Sequence, residues 1–231
     1  KLHLIFARCH DAAGRQGGIA GFLALAGTPG LVVGRREPTM GLRGIPETEI
    51  DFNDLVVEDD MVLAPPGGFA GLMDAYNSQR VGAAAVALGL AQGAYELALG
   101  WVKQRHQFGR PIAEFQGLQW MLADMATQLN AARLGIHAAA ASAAPFPDAL
   151  LTAQAKVFAS EMAIKVTNDA LQLFGARGYS RDLPLERMVR DARMFTIGGG
   201  TAQVLRTMIA GRVLGWKLPQ TRAGVARAAA E

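Results

Sequence analysis

Residues 62–89 read VLAPPGGFAGLMDAYNSQRVGAAAVALG, and this stretch decides the fold. Its Pro-Pro-Gly-Gly turn at residues 65–68 ends a region of strand-like alternation, because this composition interrupts both strands and helices. From about Phe69 onward, apolar residues recur at helical spacing instead. The sequence therefore predicts an α+β protein with two domains, a partial antiparallel β domain at residues 1–65 and a C-terminal helical bundle domain at residues 66–231.

The part before the turn carries short strand signals. Residues 1–8, KLHLIFAR, alternate polar and apolar side chains, and residues 19–25, 31–33 and 49–57 are further short runs bounded by glycine-rich turns. These runs predict a small antiparallel β unit. Because the chain opens inside a strand pattern without an initiator Met, we expect a preceding segment that completes this domain.

The part after the turn carries apolar stripes with a helical period. They predict four helices, over residues 81–102, 118–132, 151–173 and 201–214. Asp148 is the predicted N-cap of the third helix, which is expected to end at Gly175, and Thr201 is expected to open the fourth. Four helices joined by short connections indicate a four-helix bundle packed beside the β domain.

Composition excludes several classes of function. The 231 residues are 51% hydrophobic and 19% charged, and no uninterrupted apolar run approaches the length of a membrane span. The net charge of +3 comes from scattered Lys and Arg rather than a basic block, which disfavours nucleic acid and favours small anionic ligands. The single Cys9 is typical of a reducing compartment, so a cytoplasmic location is expected.

Local signatures of catalysis are sparse. The four histidines are dispersed without metal-ligand spacing, so no metal site is predicted, and no serine has the context of a hydrolase nucleophile. Arg105 precedes a sharp turn and is able to present a guanidinium to a phosphate, while Arg80 sits where the first long helix is expected to begin. Helix capping and a solvated helix start are the competing interpretations. Gly198–Gly200 precede the last helix and are either an anion-binding loop or a flexible turn.

Six short motifs, in order along nearly the whole chain, resemble those of the acyl-CoA dehydrogenase family. They are residues 40–44 (MGLRG), 50–57 (IDFNDLVV), 105–116 (RHQFGRPIAEFQ), 122–126 (LADMA), 172–175 (QLFG) and 190–193 (RDAR). The resemblance implies a subunit with an N-terminal helical domain, a middle β domain and a C-terminal four-helix bundle. It also implies FAD as cofactor, an acyl-CoA substrate, an electron-transfer flavoprotein as partner and a homotetramer built from dimers.

The resemblance assigns roles to individual residues. Arg105 and Phe108 are implied to meet the pyrophosphate and adenosine of FAD, with Gln116 nearby. Residues implied to line the dinucleotide from a partner subunit, or to complete the cofactor site, are Gln172, Gly175, Ala176, Thr201 and Gln203. Ala176 departs from the second glycine of the family pattern. The positions implied to contact the acyl-CoA are Asn77, Arg80 and Gly199.

The implied reaction is α,β-dehydrogenation of an acyl thioester, which needs a carboxylate to remove the α-proton. Most members of the family supply a Glu just before the Gly-Thr that opens the last helix, and Gly199 stands there in this sequence. A minority place the Glu just before the Arg of the first long helix, and Gln79 stands there. The catalytic base is therefore not identified from the sequence.

Several explanations stay open. The base comes from elsewhere, such as Asp74, a water bound to Ser78 or the preceding segment, and the glycines make room for a branched, cyclic or aromatic-substituted acyl group. Alternatively, the protein has lost dehydrogenation and keeps the flavin for other chemistry or for structure. A nucleic-acid-associated role is the competitor from a different class, and the scattered charges argue against it.

Overall fold

The chain divides into two units, Lys1–Asn77 and Ser78–Glu231, in a computed structural model that describes residues 1–216 and 218. The division falls inside helix α1, Phe69–Gln104. The sequence placed the domain boundary at residues 65–66, in the turn just before that helix.

The first unit contains two small antiparallel sheets, as the alternating runs predicted. Its strands are β1 (Leu2–His10), β2 (Gln16–Leu25), β3 (Leu31–Arg36), β4 (Thr48–Phe52) and β5 (Val62–Ala64). One sheet has the order β1-β2-β5 and the other pairs β3 with β4. The fourth strand ends earlier than residue 57, because Asp54 adopts a positive φ of 51°, which turns the chain out of the extended conformation.

The second unit is helical. After α1, a two-stranded hairpin leads into four further helices, and the elements are β6 (His106–Gln107), β7 (Arg110–Pro111), α2 (Gln116–Ala141), α3 (Ala149–Phe174), α4 (Leu185–Met194) and α5 (Ala202–Leu214). The α+β class and the helical C-terminal part are confirmed. The four predicted helices correspond to α1, α2, α3 and α5. The sequence analysis did not identify the shorter α4, although Leu185, Met188, Val189 and Ala192 form an apolar stripe at helical spacing.

The predicted helix ends are set by local chemistry. The side chain of Asp148 accepts a hydrogen bond from the backbone N–H of Leu151 at 2.9 Å, which satisfies one of the free donors of the first turn of α3. Gly175 ends that helix with φ 60°. Thr201 caps α5 in the same way as Asp148 caps α3, accepting from the N–H of Val204 at 3.2 Å. All three predicted ends are confirmed.

The start of the first long helix differs from one detail of the sequence analysis. Because α1 already begins at Phe69, Asn77 and Arg80 lie well inside it rather than at its first turn. By length and composition alone, α1 also qualifies as a helix that would cross a bilayer, although it lacks a continuous apolar run. Core helices of bundles pass the same test.

Small side chains form much of the core of the second unit. On α1 the buried positions are spaced three or four residues apart, and they are Ala84, Ala87, Ala91, Ala94, Ala98 and Val102. On α3 the buried face includes Ala153 and Val157, which pack with Leu205 of α5. Of the residues that helical spacing places on the apolar stripe of α3, Ala155, Met162, Val166 and Leu173 are buried and Phe158 is 44% exposed. Lys156, outside that stripe, is fully buried. The buried face of α3 is therefore broader than the stripe.

Candidate active site

The loop between α4 and α5 contains three consecutive glycines, Gly198–Gly200, which we call the glycine loop. Gly199 and Gly200 have φ values of 72° and 95°, a region that residues with a Cβ rarely adopt. The loop leads directly into Thr201, the cap of α5. The conformation of the loop thus explains glycine at residue 199, where the resemblance implied a catalytic Glu.

Two cationic side chains contact the glycine loop. Arg80 of α1 donates from Nε to the carbonyl oxygen of Gly199 at 3.1 Å. Lys156 of α3 donates from Nζ to the carbonyl oxygen of Gly200 at 2.7 Å. Two of the residues assigned to the acyl-CoA, Arg80 and Gly199, are therefore brought together by the fold, and the loop is bound by two positive groups on successive carbonyls.

The electrostatics of Lys156 are unusual. Burial, reinforced by the positive charge of Arg80, lowers the pKa of Lys156 from 10.5 to about 8. A buried ammonium loses its hydration and is here repelled by a second cation, so its charged form is destabilised. The site therefore contains a group that changes charge near physiological pH.

A second feature of the same unit is a cavity of about 480 Å³, which we call the Arg105 cavity. It is lined by Trp101, Arg105, Gln107, Ile112, Leu118, Met121, Gln172, Leu173, Phe174, Gly175, Ala176 and Arg177. Four of the residues assigned to FAD, namely Arg105, Gln172, Gly175 and Ala176, thus lie together. The resemblance assigned Gln172, Gly175 and Ala176 to the dinucleotide of a partner subunit, and that assignment stays a prediction.

The ends of two helices build this cavity. Arg105 follows α1 directly, and its backbone is held by hydrogen bonds from its N–H to Trp101 O at 2.9 Å and from Ile112 N–H to its carbonyl at 2.8 Å. The rings of Trp101 and Phe174 stack with centroids 4.7 Å apart and planes at 11°, which joins the end of α1 to the end of α3. Gly175 then turns the chain along the cavity.

The composition of the Arg105 cavity suits part of a dinucleotide. Arg105 and Arg177 supply positive charge, and the lining, as far as the structure describes it, includes no carboxylate. Gln172 adds an amide with both donor and acceptor atoms. A Cβ built on Gly175 would meet no atom within 4 Å, so its backbone is open to a ligand. These residues fit the diphosphate and adenosine of FAD in chemistry and in volume.

The remaining residues assigned to FAD lie outside this cavity. Phe108 sits in the turn between β6 and β7 and is 91% exposed, with its ring edge-on to Phe115 at 6.0 Å. Gln116 is the exposed first residue of α2, and Gln203 is exposed near the start of α5. Their assignment to the cofactor stays a prediction, as does that of Thr201.

The residues considered for the missing base are distributed along α1. Asp74, Ser78 and Gln79 are all exposed, and Asn77 is buried. Gln79 immediately precedes the Arg80 that contacts the glycine loop. The carboxylate is thus replaced at both positions where the resemblance expects it, by glycine in the loop and by an amide on the helix.

Sequence reasoning missed Lys156 and several residues of the Arg105 cavity. A lysine among the apolar residues 150–164 was the available signal for Lys156, but burial of that face is decided by contact with a loop 44 residues away. Trp101 and Arg177 belong to none of the motifs recognised in the sequence, so they were not predicted. Within residues 1–216 and 218, no group of three or more His, Cys, Asp or Glu residues is arranged to hold a metal ion.

The chain is similar to known proteins in both sequence and fold. Residues 67–214 match the family model described as "Acyl-CoA dehydrogenase, C-terminal domain". The 3-sulfinopropanoyl-CoA desulfinase of Paraburkholderia xenovorans (strain LB400) is 63% identical over 227 residues, which cover 96% of this chain and 58% of that protein. The chain therefore spans little more than half the length of this relative.

Two further similar proteins are named as dehydrogenases. The cyclohex-1-ene-1-carbonyl-CoA dehydrogenase of Syntrophus aciditrophicus (strain SB) is 44% identical over 200 residues, covering 85% of this chain and 48% of that protein. The solved structure of butyryl-CoA dehydrogenase from Megasphaera elsdenii matches with a TM-score of 0.87 and 36% identity, covering 92% of this chain and 56% of that one.

Proposed function

The chain belongs to the acyl-CoA dehydrogenase family, and we propose that the whole protein is a flavoprotein that removes the sulfinate group of 3-sulfinopropanoyl-CoA instead of dehydrogenating an acyl-CoA. This corresponds to the alternative in which the family scaffold has lost dehydrogenation. One observation carries the proposal: Gly199, held by Arg80, leaves no carboxylate where the family reaction needs a base. The 63% identity to a protein named as a desulfinase supports the same reaction.

The proposed reaction does not need the missing base. The C–S bond at C3 of the acyl group breaks, its electron pair stays on carbon, and sulfur dioxide leaves. The carbon takes a proton, and water converts the sulfur dioxide to hydrogen sulfite. The products are propanoyl-CoA and sulfite, and no electrons are gained or lost overall. Removal of an α-proton, the step that requires Glu in the family, does not occur.

The residues of this chain would bind and orient the substrate. Arg80 lies beside the glycine loop and, together with Lys156, makes this region electropositive, which suits a substrate with a negatively charged acyl chain. The bare backbone of Gly199 leaves room for the sulfinate. Gln79 offers an amide donor to the anionic acyl chain. A carboxylate at this position would instead repel it.

FAD is the cofactor of this family, and when bound it supplies a hydride acceptor for dehydrogenation. The residues of the Arg105 cavity that would hold its diphosphate and adenosine are Arg105, Gln172, Gly175 and Ala176. Because desulfination is redox-neutral overall, the proposed reaction does not need an electron-transfer flavoprotein. That partner belongs to the dehydrogenase alternative.

A second candidate function is dehydrogenation of a cyclic or otherwise bulky acyl-CoA. The 44% identity to a cyclohex-1-ene-1-carbonyl-CoA dehydrogenase favours it, together with the space left by Gly199. In this case the base must lie outside the glycine loop, as already considered for Asp74 and Ser78.

The two functions are separated by one experiment on the full-length protein. Incubation with 3-sulfinopropanoyl-CoA is expected to release sulfite and propanoyl-CoA in equal amounts, measured by a colorimetric sulfite assay and by chromatography. Parallel anaerobic incubations with butanoyl-CoA and cyclohexenoyl-CoA are expected to leave the visible flavin absorbance unchanged. Flavin bleaching by either thioester, without sulfite release, would instead establish a dehydrogenase.

Assembly and location are part of the proposal. A homotetramer built as a dimer of dimers is supported by apolar side chains that are exposed on the single chain, including Val86 and Leu97 on α1, at 58% and 40%. A cytoplasmic location rests on the free thiol of Cys9. We propose no interaction with nucleic acid or membrane.

A further inference from the structure

Lys156 is a buried charge whose hydrogen-bond partner is neutral. Its side chain is fully buried on α3, and its ammonium donates to the carbonyl oxygen of Gly200 at 2.7 Å. A buried ammonium is costly unless a negative group compensates it. Among the described residues, Lys156 takes part in no ion pair with a carboxylate. The protein therefore keeps a cation beside the glycine loop, in an environment that destabilises its charged form.

The side of residue 199 that would carry a side chain faces this lysine. A Cβ built on Gly199 would lie 3.9 Å from Cε of Lys156, and one built on Gly200 would lie 3.8 Å from a terminal nitrogen of Arg80. A Glu at residue 199 would place its carboxylate close to Lys156 and neutralise it. With glycine there, the positive charge is available to an anion that enters the space.

We propose that Lys156 is a positioning and specificity-determining residue that, with Arg80, selects acyl-CoA substrates bearing an anion on the acyl chain. The inference rests on the proposed function and adds to it the groups that recognise the sulfinate. Lys156 acts by holding the glycine loop through Gly200 and by making the space beside Gly199 electropositive. A neutral acyl chain in the same space gains nothing from either cation.

A bound anion also changes the protonation of the site. Burial and the charge of Arg80 lower the pKa of Lys156 to about 8, so an anion placed between the two cations raises that pKa again. Arg80 is the charged group that faces Lys156 from α1. On α3, α4 and α5, Glu161 pairs with Arg206 and Glu186 with Arg190. Two further pairs are Lys165 with Asp169 and Arg187 with Asp191.

The test is a binding measurement on the full-length flavoprotein that does not depend on turnover. Calorimetry at pH 8, in buffers of different ionisation enthalpy, reports both affinity and protons taken up. The probes are 3-sulfinopropanoyl-CoA, succinyl-CoA, which has a carboxylate in place of the sulfinate, and butanoyl-CoA, which has a neutral methyl group there. The two anionic probes are expected to take up about 0.5 proton each, and butanoyl-CoA none.

Matched variants assign this effect to one side chain. Lys156→Gln retains a donor for Gly200 and removes the charge, so we expect it to abolish proton uptake and to reduce the preference for succinyl-CoA over butanoyl-CoA by at least about 10-fold. Lys165→Gln, on the same helix but exposed and paired with Asp169, is the control and is expected to change neither quantity. Lys156→Arg keeps the charge and is expected to restore part of the preference.

Each outcome decides the inference. Unchanged preference and uptake in Lys156→Gln would overturn it, and so would absence of proton uptake in the wild-type protein, a measurement that needs no variant to fold. If succinyl-CoA shows the expected uptake but 3-sulfinopropanoyl-CoA releases no sulfite, the proposed desulfination is wrong and the selection of anions by Lys156 stands. If the protein releases sulfite but Lys156→Gln leaves the preference for anionic probes unchanged, desulfination stands and the selection of anions by Lys156 is wrong.

Discussion

Arg80 donates a hydrogen bond from its Nε to the carbonyl oxygen of Gly199 at 3.1 Å, although the two residues are 119 positions apart in the chain. This contact joins α1 to the glycine loop. Gln79 immediately precedes Arg80 on α1, so the two positions where the family carries its catalytic Glu lie on elements that this hydrogen bond connects. Neither position has a carboxylate in this chain.

Restoring the family carboxylate is expected to change the reaction. In Gly199→Glu, the full-length protein should acquire dehydrogenation, seen as anaerobic flavin bleaching by butanoyl-CoA, and should lose most of its sulfite release. The physical reason is that the new carboxylate supplies a base and repels the sulfinate. Because residue 199 has φ 72°, a strain of about 1 kcal/mol accompanies the change.

Gly199→Gln is the matched control for this experiment. It introduces the same backbone strain and nearly the same volume without a charge, so it should reduce sulfite release without producing bleaching. Bleaching by butanoyl-CoA in the Gln variant would contradict the assignment of Gly199 to the position of the base.

The lowered pKa of Lys156 makes stability depend on pH. Between about pH 8 and pH 10.5, the unfolded chain binds more protons at this lysine than the folded protein does. The free energy of unfolding should therefore rise with pH across this window, by about 3 kcal/mol for this group, and the gain should be lost as the pH falls through 8. Denaturant titrations of the full-length protein at several pH values measure it.

Lys156→Met should abolish this contribution, because the side chain keeps its length and loses its titratable group. The difference between variant and wild type is then expected to shrink as the pH rises from 8 to 10. Lys165→Met, which changes an exposed lysine of the same helix, should leave the pH dependence of the wild type intact. A pH dependence that is identical in the Lys156 variant would contradict the prediction.

The Arg105 cavity is expected to govern cofactor affinity. Arg105→Gln removes a charge-assisted hydrogen bond to phosphate, worth about 1.5–3 kcal/mol, so the dissociation constant of FAD should increase roughly 10- to 100-fold. Flavin fluorescence during reconstitution of the apoprotein measures this constant. Arg187→Gln, on α4 and outside the lining of the cavity, is the control, and an equal loss in both variants would point to a general effect of charge.

The cap of α3 should contribute to stability in a predictable way. Asp148→Ala removes the acceptor for the N–H of Leu151 and should lower the free energy of unfolding by about 1 kcal/mol. Asp148→Asn retains an acceptor oxygen and should cost less. Chemical denaturation of both variants gives the comparison, and a larger loss in the Asn variant would show that charge, rather than capping, is the main contribution.

Local patterns were sufficient for much of the fold. The alternation in β1, the turn before α1 and the caps at Asp148 and Thr201 depend on residues close in sequence, and the structure confirms them. Helix α4 was missed although its sequence carries an apolar stripe at helical spacing, formed by Leu185, Met188, Val189 and Ala192. A helix of ten residues is marginal by itself, so its stability depends on packing this stripe against α3.

The sequence by itself determined the family, the division into strands and helices, and the absence of Glu at residues 79 and 199, because these are properties of residue type and spacing. The tertiary structure decided which of these residues meet. It gathered Arg105, Gln172, Gly175 and Ala176 around one cavity, and it buried Lys156 against Gly200. Burial and charge proximity arise from contacts between distant segments, so the lowered pKa of Lys156 and the positive charge beside Gly199 exist only in the folded chain.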